Sequence, residues 1–231
     1  MRMDKLYSLI FSLGSGLCHQ LPERSFVWHN VQLPLCARCT GIYFGFLFAF
    51  ILLAILYRKA PRRGGLSRFY YGAIVVMGLP LVVDGLTSYL GFRSTTNAIR
   101  LASGAAFGAV LAVPIYYIVC DALLKSGSRE KVLGDVKGRI IFCLAIPITY
   151  LFVVVFGPRL PYVISLLLGM SIIVVFSLTA AALVGMIPVF ERNVSSLKTA
   201  LLPGAISLVC GLAILAGTWA LQTWIHRLAG F

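Results

Sequence analysis

The sequence predicts an all-α protein, a polytopic bundle of about six transmembrane helices with a short interfacial or re-entrant helix at its N-terminus. Hydrophobic residues make up 60% of the 231 residues and charged residues only 12%, which is far from the composition of a soluble domain. Uncharged stretches long enough to cross a bilayer, about 20 residues each, recur along the chain. Basic residues are concentrated in every second loop between these stretches, as in multi-pass proteins.

The elements follow in a simple order. A helix over residues 3–17 is too short to span a membrane comfortably, and a polar loop over 18–39 follows it. We expect spans at residues 40–57, 69–92, 98–124, 140–156, 160–189 and 200–225. This predicts four parts: the N-terminal helix and loop (1–39), a three-span core with a polar pocket (40–124), a charged cytoplasmic linker (125–139) and a C-terminal three-span module (140–231).

The distribution of charge predicts the orientation. The net charge is +13, and the loops after the first, third and fifth spans hold most of the basic residues between spans. These loops are expected in the cytoplasm, which places the 18–39 loop on the outer face of the cell membrane. Because the basic residues are spread over short loops instead of one polar domain, the expected partners are membrane lipids and not nucleic acid. The pattern specifies no oligomeric state.

Soft metal ligands are concentrated in the 18–39 loop, which contains Cys18-His19, His29 and Cys36-Ala-Arg-Cys39. Thiolate with imidazole suits zinc, and iron is a second candidate. We expect Cys18, Cys36 and Cys39 to bind the ion. His19 is expected as a ligand or as a nearby acid or base, and His29 is the rival fourth ligand.

Other interpretations of this loop remain open. Four protein ligands would make a structural zinc clip, and an oxidising exterior would favour a structural disulfide. Glu23 lies four residues after His19 and is predicted to orient it or to take part in proton transfer, although a solvated loop with ordinary surface ion pairs accounts for Glu23 equally well.

A second polar group surrounds the turn between the second and third spans. Asp84 lies inside an apolar span, where an ionised side chain costs about 2.5–3.5 kcal/mol on insertion scales unless a partner offsets it. Arg100 on the returning span is the expected counter-ion. Arg93, Asn97 and Arg100, with Arg24 from the first loop, are predicted to bind an anion beside a helix N-terminus. Alternatively, Asp84 and Arg100 only lock two spans together.

These groups suggest a metal-dependent enzyme. The ion would activate water or a substrate oxygen, the arginines would hold an anionic lipid or a phosphate-bearing substrate, and His19, Glu23 or Asp84 would carry a proton. One alternative is a transporter or metal-handling protein with a structural zinc clip, in which Asp84 and Arg100 line the path. Another is a thiol–disulfide protein in which Cys36 and Cys39 cycle.

Two blocks of residues resemble the signature Cys-His-Gln … Cys-x-Arg-Cys-x-Gly of an uncharacterised family of small prokaryotic membrane proteins, a domain of unknown function. The resemblance covers roughly the first half of the chain and implies no particular reaction. Ser88 and Ser103 stand where the family suggests glutamine and threonine. The matching residues are Cys18-His19-Gln20, Pro22, Arg24, Ser25, Pro34 to Gly41, Tyr43 and Gly45, then Asp84-Gly85, Gly91, Arg93-Ser94, Asn97, Arg100 and Gly104.

Overall fold

The computed structural model describes residues 2–57, 64–90, 95–125 and 127–229. Within them it has seven α-helices, six of which are long and apolar enough to cross a membrane, so the predicted helical membrane bundle is confirmed. The helices are α1 Arg2–Ser15, α2 Ala37–Leu56, α3 Arg68–Tyr89, α4 Asn97–Leu123, α5 Val136–Phe156, α6 Pro161–Val184 and α7 Leu197–Ala229.

The predicted polar loop between α1 and α2 contains regular structure. A 3₁₀ turn at Pro22–Arg24 leads into strand β1, Ser25–Trp28, which pairs antiparallel with β2, Val31–Cys36. His29 and Asn30 connect the strands with φ values of 50° and 60°. Positive φ at both central residues is the geometry of a tight type I′ hairpin turn. The hairpin places His29 at its tip, away from the end of β2 where Cys36 lies.

Apolar side chains of the hairpin extend the core of the bundle. Leu33 and Leu35 are fully buried in a cluster with Phe44 of α2 and Leu168 of α6. Trp28 fills the space that a Cβ at Gly157, just after α5, would occupy, since that atom would lie 2.2 Å from the indole ring. The hairpin therefore covers one end of the bundle and contacts helices from both halves of the chain.

Helix α1 is docked against this covered end and packs on β2, α6 and α7. Ile10 is buried against Gly169, whereas Leu6 and Leu9 are exposed. Such an apolar outer face on a helix too short to span agrees with the expected position at the membrane interface. The tight approach of α1 to β2 needs Gly14, where a Cβ would lie 2.2 Å from the Pro34 carbonyl oxygen.

Helices α2 and α4 form the closest helix pair. A Cβ at Gly41 would lie 2.3 Å from the Leu101 oxygen, and one at Gly104 would lie 2.1 Å from the Arg38 oxygen. Only glycine allows backbones to approach this closely. Gly41 and Gly104 therefore allow the first turns of α2 and α4 to lie side by side.

Helix α3 has a different environment, because its main helix contact is with α4 and much of its apolar surface is open. Val75, Val76 and Leu79 are each more than half exposed, as expected for side chains that face lipid. The linker between the two halves is partly structural, since Val132 and Leu133 are fully buried and the Leu133 N–H donates to the Tyr57 hydroxyl at 2.8 Å.

Candidate metal and anion site

Three cysteine sulfurs meet where the hairpin joins α2. Cys18 follows α1, Cys36 ends β2 and precedes the first helical residue of α2, and Cys39 lies in the first turn of α2. Because Cys36 and Cys39 lie three residues apart across this helix start, their side chains reach the same point. The three Sγ atoms lie within 4.8 Å of one another, and the Cys36 N–H donates to the Cys18 sulfur at 3.4 Å.

The donor set suits a thiophilic ion. Zinc–sulfur bonds of about 2.3 Å in a tetrahedron hold sulfurs about 3.8 Å apart, a spacing that the 4.8 Å limit of this cluster allows. Hydrogen bonds with the Cys36 and Cys39 thiols lower the pKa of the Cys18 thiol, against the opposing effect of burial. A thiolate is therefore favoured at the most buried of the three positions, and thiolate is the metal-binding form.

The two histidines are placed differently. His19 is exposed and lines the cavity beside the sulfurs, whereas His29 is exposed at the hairpin turn. Among the described residues, no histidine nitrogen or carboxylate oxygen joins the three sulfurs within the same 4.8 Å limit. Glu23 is exposed in the 3₁₀ turn and does not line the cavity. Three close protein ligands thus stand beside an open space.

That open space is a cavity of about 400 Å³ that brings the two predicted groups together. The loop after α1, the start of α2, the end of α3 and the start of α4 all contribute to its wall. Guanidinium groups from three of these segments line the same cavity as the three sulfurs. The lining residues are Leu17, Cys18, His19, Gln20, Leu21, Arg24, Cys36, Arg38, Cys39, Ser88 and Arg100.

Asp84 forms its ion pair with Arg38, not with the predicted Arg100. Asp84 is 7% exposed, and within the described part of the chain neither its Oδ1 nor the Arg38 Nε has a hydrogen-bond partner. Arg38 projects from the first turn of α2 toward α3 and so reaches the carboxylate. Arg38 was not predicted as the counter-ion. Two features of the sequence could have indicated this pair: Asp84 needs a cation inside an apolar span, and an arginine lies in the first turn of a neighbouring span.

Arg100 is nine-tenths buried and is held by polar groups near the start of its own helix. It donates to Thr95 Oγ1 at 3.1 Å, to Asn97 Oδ1 at 3.2 Å and, more distantly, to Ser88 Oγ at 3.5 Å. Asn97 in turn donates to the Ser25 carbonyl at 3.1 Å, which ties α4 to the hairpin. Asn97 therefore orients Arg100 and is not on the cavity wall, whereas the predicted Arg93 lies outside the described residues.

Comparisons with known proteins cover the same part of the chain. The family model described as "Predicted membrane protein (DUF2085)" matches residues 18–113. An uncharacterized protein of Methanothermobacter thermautotrophicus is 36% identical over 105 residues, which are 42% of this chain and 82% of the relative. An uncharacterized protein of Methanocaldococcus jannaschii is 31% identical over 114 residues, 48% of this chain and 66% of that protein. No solved structure matches the chain.

The matched region contains every polar residue of the cavity wall. The last three helices lie beyond it, as the resemblance noted in the sequence suggested. Together with the six apolar helices, these matches show that the chain is a multi-pass membrane protein belonging to the family described as Predicted membrane protein (DUF2085).

Proposed function

We propose that this protein is a membrane enzyme in which a metal ion bound by Cys18, Cys36 and Cys39 acts on an anionic substrate, a lipid headgroup phosphate or another phosphate-bearing molecule. One observation carries the proposal: the three sulfurs and the arginines, which come from segments far apart in sequence, line one cavity of about 400 Å³. A clip that only stabilises the fold has no need of such a cavity.

The metal half of the proposal rests on the number of ligands. Catalytic zinc sites keep three protein ligands and leave the fourth position to water or substrate, whereas structural sites use four. Zinc is the expected ion and iron the second candidate, because thiolates suit both. An ion seated on the three sulfurs would polarise an oxygen placed in the cavity.

The anion half rests on unpaired positive charge. Arg38 is compensated by Asp84, but within the described residues no carboxylate lies in ion-pair distance of Arg24 or Arg100. Guanidinium groups offer paired N–H donors that match phosphate or carboxylate oxygens. Arg24 and Arg100 are therefore the proposed substrate-binding residues, with Asn97 holding Arg100 in position.

The depth of the cavity favours a lipid. It lies where α2 and α4 begin and where α3 ends, so if these apolar spans fill the hydrocarbon core, the cavity lies at the level of the headgroups. The alternation of basic loops assigns this end of the bundle to the outer face. Among the proposed proton carriers, His19 alone lines the cavity, and Asp84 is better suited to holding Arg38.

The ion and its open position are tested together with Co²⁺, whose visible absorption reports its ligands. Full-length protein in nanodiscs should bind about one ion per chain with a sulfur-to-metal charge-transfer band. Replacing Cys18, Cys36 or Cys39 by Ser should abolish the band, and Cys210→Ser, at an exposed position on α7, should leave it unchanged. A triad that binds no ion contradicts the proposal.

Substrate binding is tested on the same sample with inorganic phosphate and, separately, a short-chain phosphatidic acid. An anion that enters the cavity should shift the visible band of the wild type, and Arg100→Gln should weaken that response. A shift with the lipid alone identifies a headgroup, and a shift with both identifies phosphate as the shared feature. A band that responds to neither indicates the structural clip and contradicts the enzyme.

Catalysis is then measured by lipid mass spectrometry in nanodiscs made of anionic phospholipid. The zinc-loaded wild type should convert a lipid that Cys39→Ser leaves unchanged. A transporter is the second candidate, favoured by the buried Oδ1 of Asp84 inside α3, which has no hydrogen-bond partner among the described residues. It would convert no lipid, and its flux would be lost in Asp84→Asn while the ion stays bound.

A further inference from the structure

We propose that Gln20 is a positioning residue of the metal centre, one that sets the distance between the Cys18 and Cys36 sulfurs without binding the ion itself. This inference rests on the metal site proposed above. Gln20 stands in the left-handed region, with φ of 52°, in the short segment that carries Cys18 from α1 to the 3₁₀ turn. A residue other than glycine keeps this conformation only where its surroundings stabilise it.

Three hydrogen bonds supply that stabilisation. The Gln20 side-chain amide donates to the Phe11 carbonyl of α1 at 2.7 Å and to the Pro34 carbonyl of β2 at 2.8 Å. The Gln20 carbonyl accepts from the Gln32 side-chain amide of β2 at 2.6 Å. One residue therefore joins the end of α1, the Cys18 segment and strand β2.

The positions of these bonds relate them to the sulfurs. Gln20 lies two residues after Cys18, and Pro34 lies two residues before Cys36. The Gln20–Pro34 hydrogen bond thus joins two backbone segments at positions two residues away from Cys18 and Cys36. The bond from the Cys36 N–H to the Cys18 sulfur, 3.4 Å long, depends on the same alignment.

The hydrogen bonds of the amide nitrogen leave it no direct role as a ligand or an acid. Both N–H groups of the Gln20 amide are taken by backbone carbonyls, and an amide nitrogen does not bind zinc. The glycine at position 14 lets α1 come close enough for this contact, since a Cβ there would lie 3.0 Å from the Gln20 Nε2. Gln20 therefore acts on the ion through Cys18 and Cys36.

The test is the affinity of full-length protein for Zn²⁺, measured by competition with a chelator. Gln20→Glu keeps the shape of the side chain. It replaces the amide nitrogen, which donates to two carbonyls, by a carboxylate oxygen, which can only accept. We expect it to weaken zinc binding by about 10- to 100-fold, the usual effect of losing a residue that orients metal ligands. The cobalt charge-transfer band should shift as well, because the Cys18 sulfur is displaced.

The matched control is Tyr7→Phe. It removes another α1–hairpin hydrogen bond, from the Tyr7 hydroxyl to the Gln32 carbonyl at 2.6 Å, and leaves both hydrogen bonds of the Gln20 side chain in place. If Gln20 only docks α1, both variants should lower the unfolding temperature alike and leave zinc affinity and the cobalt band unchanged, which overturns the inference. If Gln20→Glu does not fold, the uncharged Gln20→Leu takes its place with the same expected loss.

The two proposals fail in different ways. Wild-type protein that binds neither Zn²⁺ nor Co²⁺ contradicts the metal site itself. If both Gln20 variants bind zinc as tightly as the wild type does, the metal site is retained and Gln20 has no role in it.

Discussion

Polar side chains reach across elements more in the first three-helix group of this protein than in the second. In α2–α4, polar groups reach across elements, as in the ion pair of Arg38 with Asp84 and the hydrogen bond from Asn97 to the hairpin. In α5–α7, the buried hydroxyls of Thr149, Ser165 and others donate to a carbonyl three or four residues earlier in their own helix. The first group therefore contains polar side chains that join different elements around a site. The buried hydroxyls of the second group form their hydrogen bonds within their own helices.

The difference supports the position of the proposed site in the first group. A hydroxyl bonded within its own helix needs no partner and leaves the helix free to pack by shape alone. Charged groups inside spans are costly, and they persist where they are paired or face a cavity. The cavity wall and the family match both fall on the first half, whereas α6 and α7 of the second half pack against α1, and α6 also packs against the hairpin.

Asp84→Asn should have the largest effect on stability. It leaves the Arg38 guanidinium without its counter-charge next to α3. Removing one partner of a buried pair costs about 3–5 kcal/mol, and the low end, about 3 kcal/mol, applies because Arg38 keeps 24% of its side chain exposed. This loss is measured as the difference in the free energy of unfolding between the variant and the wild type in mixed micelles.

Ser171→Ala in α6 is the matched change in the second half. Ser171 is fully buried, and its hydroxyl bonds within its own helix, to the Leu168 carbonyl, so the expected loss is that of one ordinary hydrogen bond, about 0.5–1.5 kcal/mol. Equal losses in Asp84→Asn and Ser171→Ala would remove the contrast between the two halves.

Gly104→Ala should have the next largest effect. The new Cβ would lie 2.1 Å from the Arg38 carbonyl oxygen, a backbone atom that cannot move without separating α2 from α4. Overpacking of this kind costs about 1–3 kcal/mol. Because Arg38 lies between Cys36 and Cys39, the strain should also lower metal affinity, which a chelator competition measures.

Gly204 of α7 provides the control, since nothing lies within 4 Å of a Cβ placed there. Gly204→Ala should be neutral or should stabilise the protein by up to about 1 kcal/mol, because alanine favours helix more than glycine does. A Gly104→Ala protein as stable as wild type would show that the two helices are not held by backbone contact.

The helices were predictable because the length of an apolar run is a local property of the sequence. The first span was expected at residue 40 and begins at Ala37, and the third was expected at residue 98 and begins at Asn97. The hairpin was not predicted, because the strands are short and one contains Pro34, which signals a loop. Proline is tolerated there because β2 is an edge of a two-stranded sheet.

The candidate site was predictable in its composition but not in its pairing. Cys18, Cys36 and Cys39 stood out as soft ligands beside apolar runs, and the structure brings their sulfurs together. Which arginine reaches Asp84 depends on how α2 is rotated against α3. That rotation is set by the contact of Gly41 with α4, a tertiary feature that no spacing in the sequence contains.

Asp135→Ala, at the start of α5, should have a small effect on stability and none on the metal centre. The Asp135 carboxylate accepts from the Gly138 N–H at 2.8 Å and so caps the helix, a contact worth about 1 kcal/mol. The site lies near the other end of α5, about 30 Å away for 21 residues. The cobalt band should therefore be unchanged, and Asp135→Asn, which keeps an accepting oxygen, should stay close to wild type.

The same residue makes the prediction dependent on pH. The hydrogen bond from Gly138 is the main reason that the pKa of Asp135 lies below its ordinary value of 3.8. A lowered pKa in the folded state means that the carboxylate stabilises the protein fully above pH 3.8 and that this contribution is lost as the pH falls through the folded-state pKa. The stability difference between wild type and Asp135→Ala should thus be constant near neutral pH and shrink in acid. A change in the cobalt band of Asp135→Ala would instead show that the second half of the molecule takes part in the site.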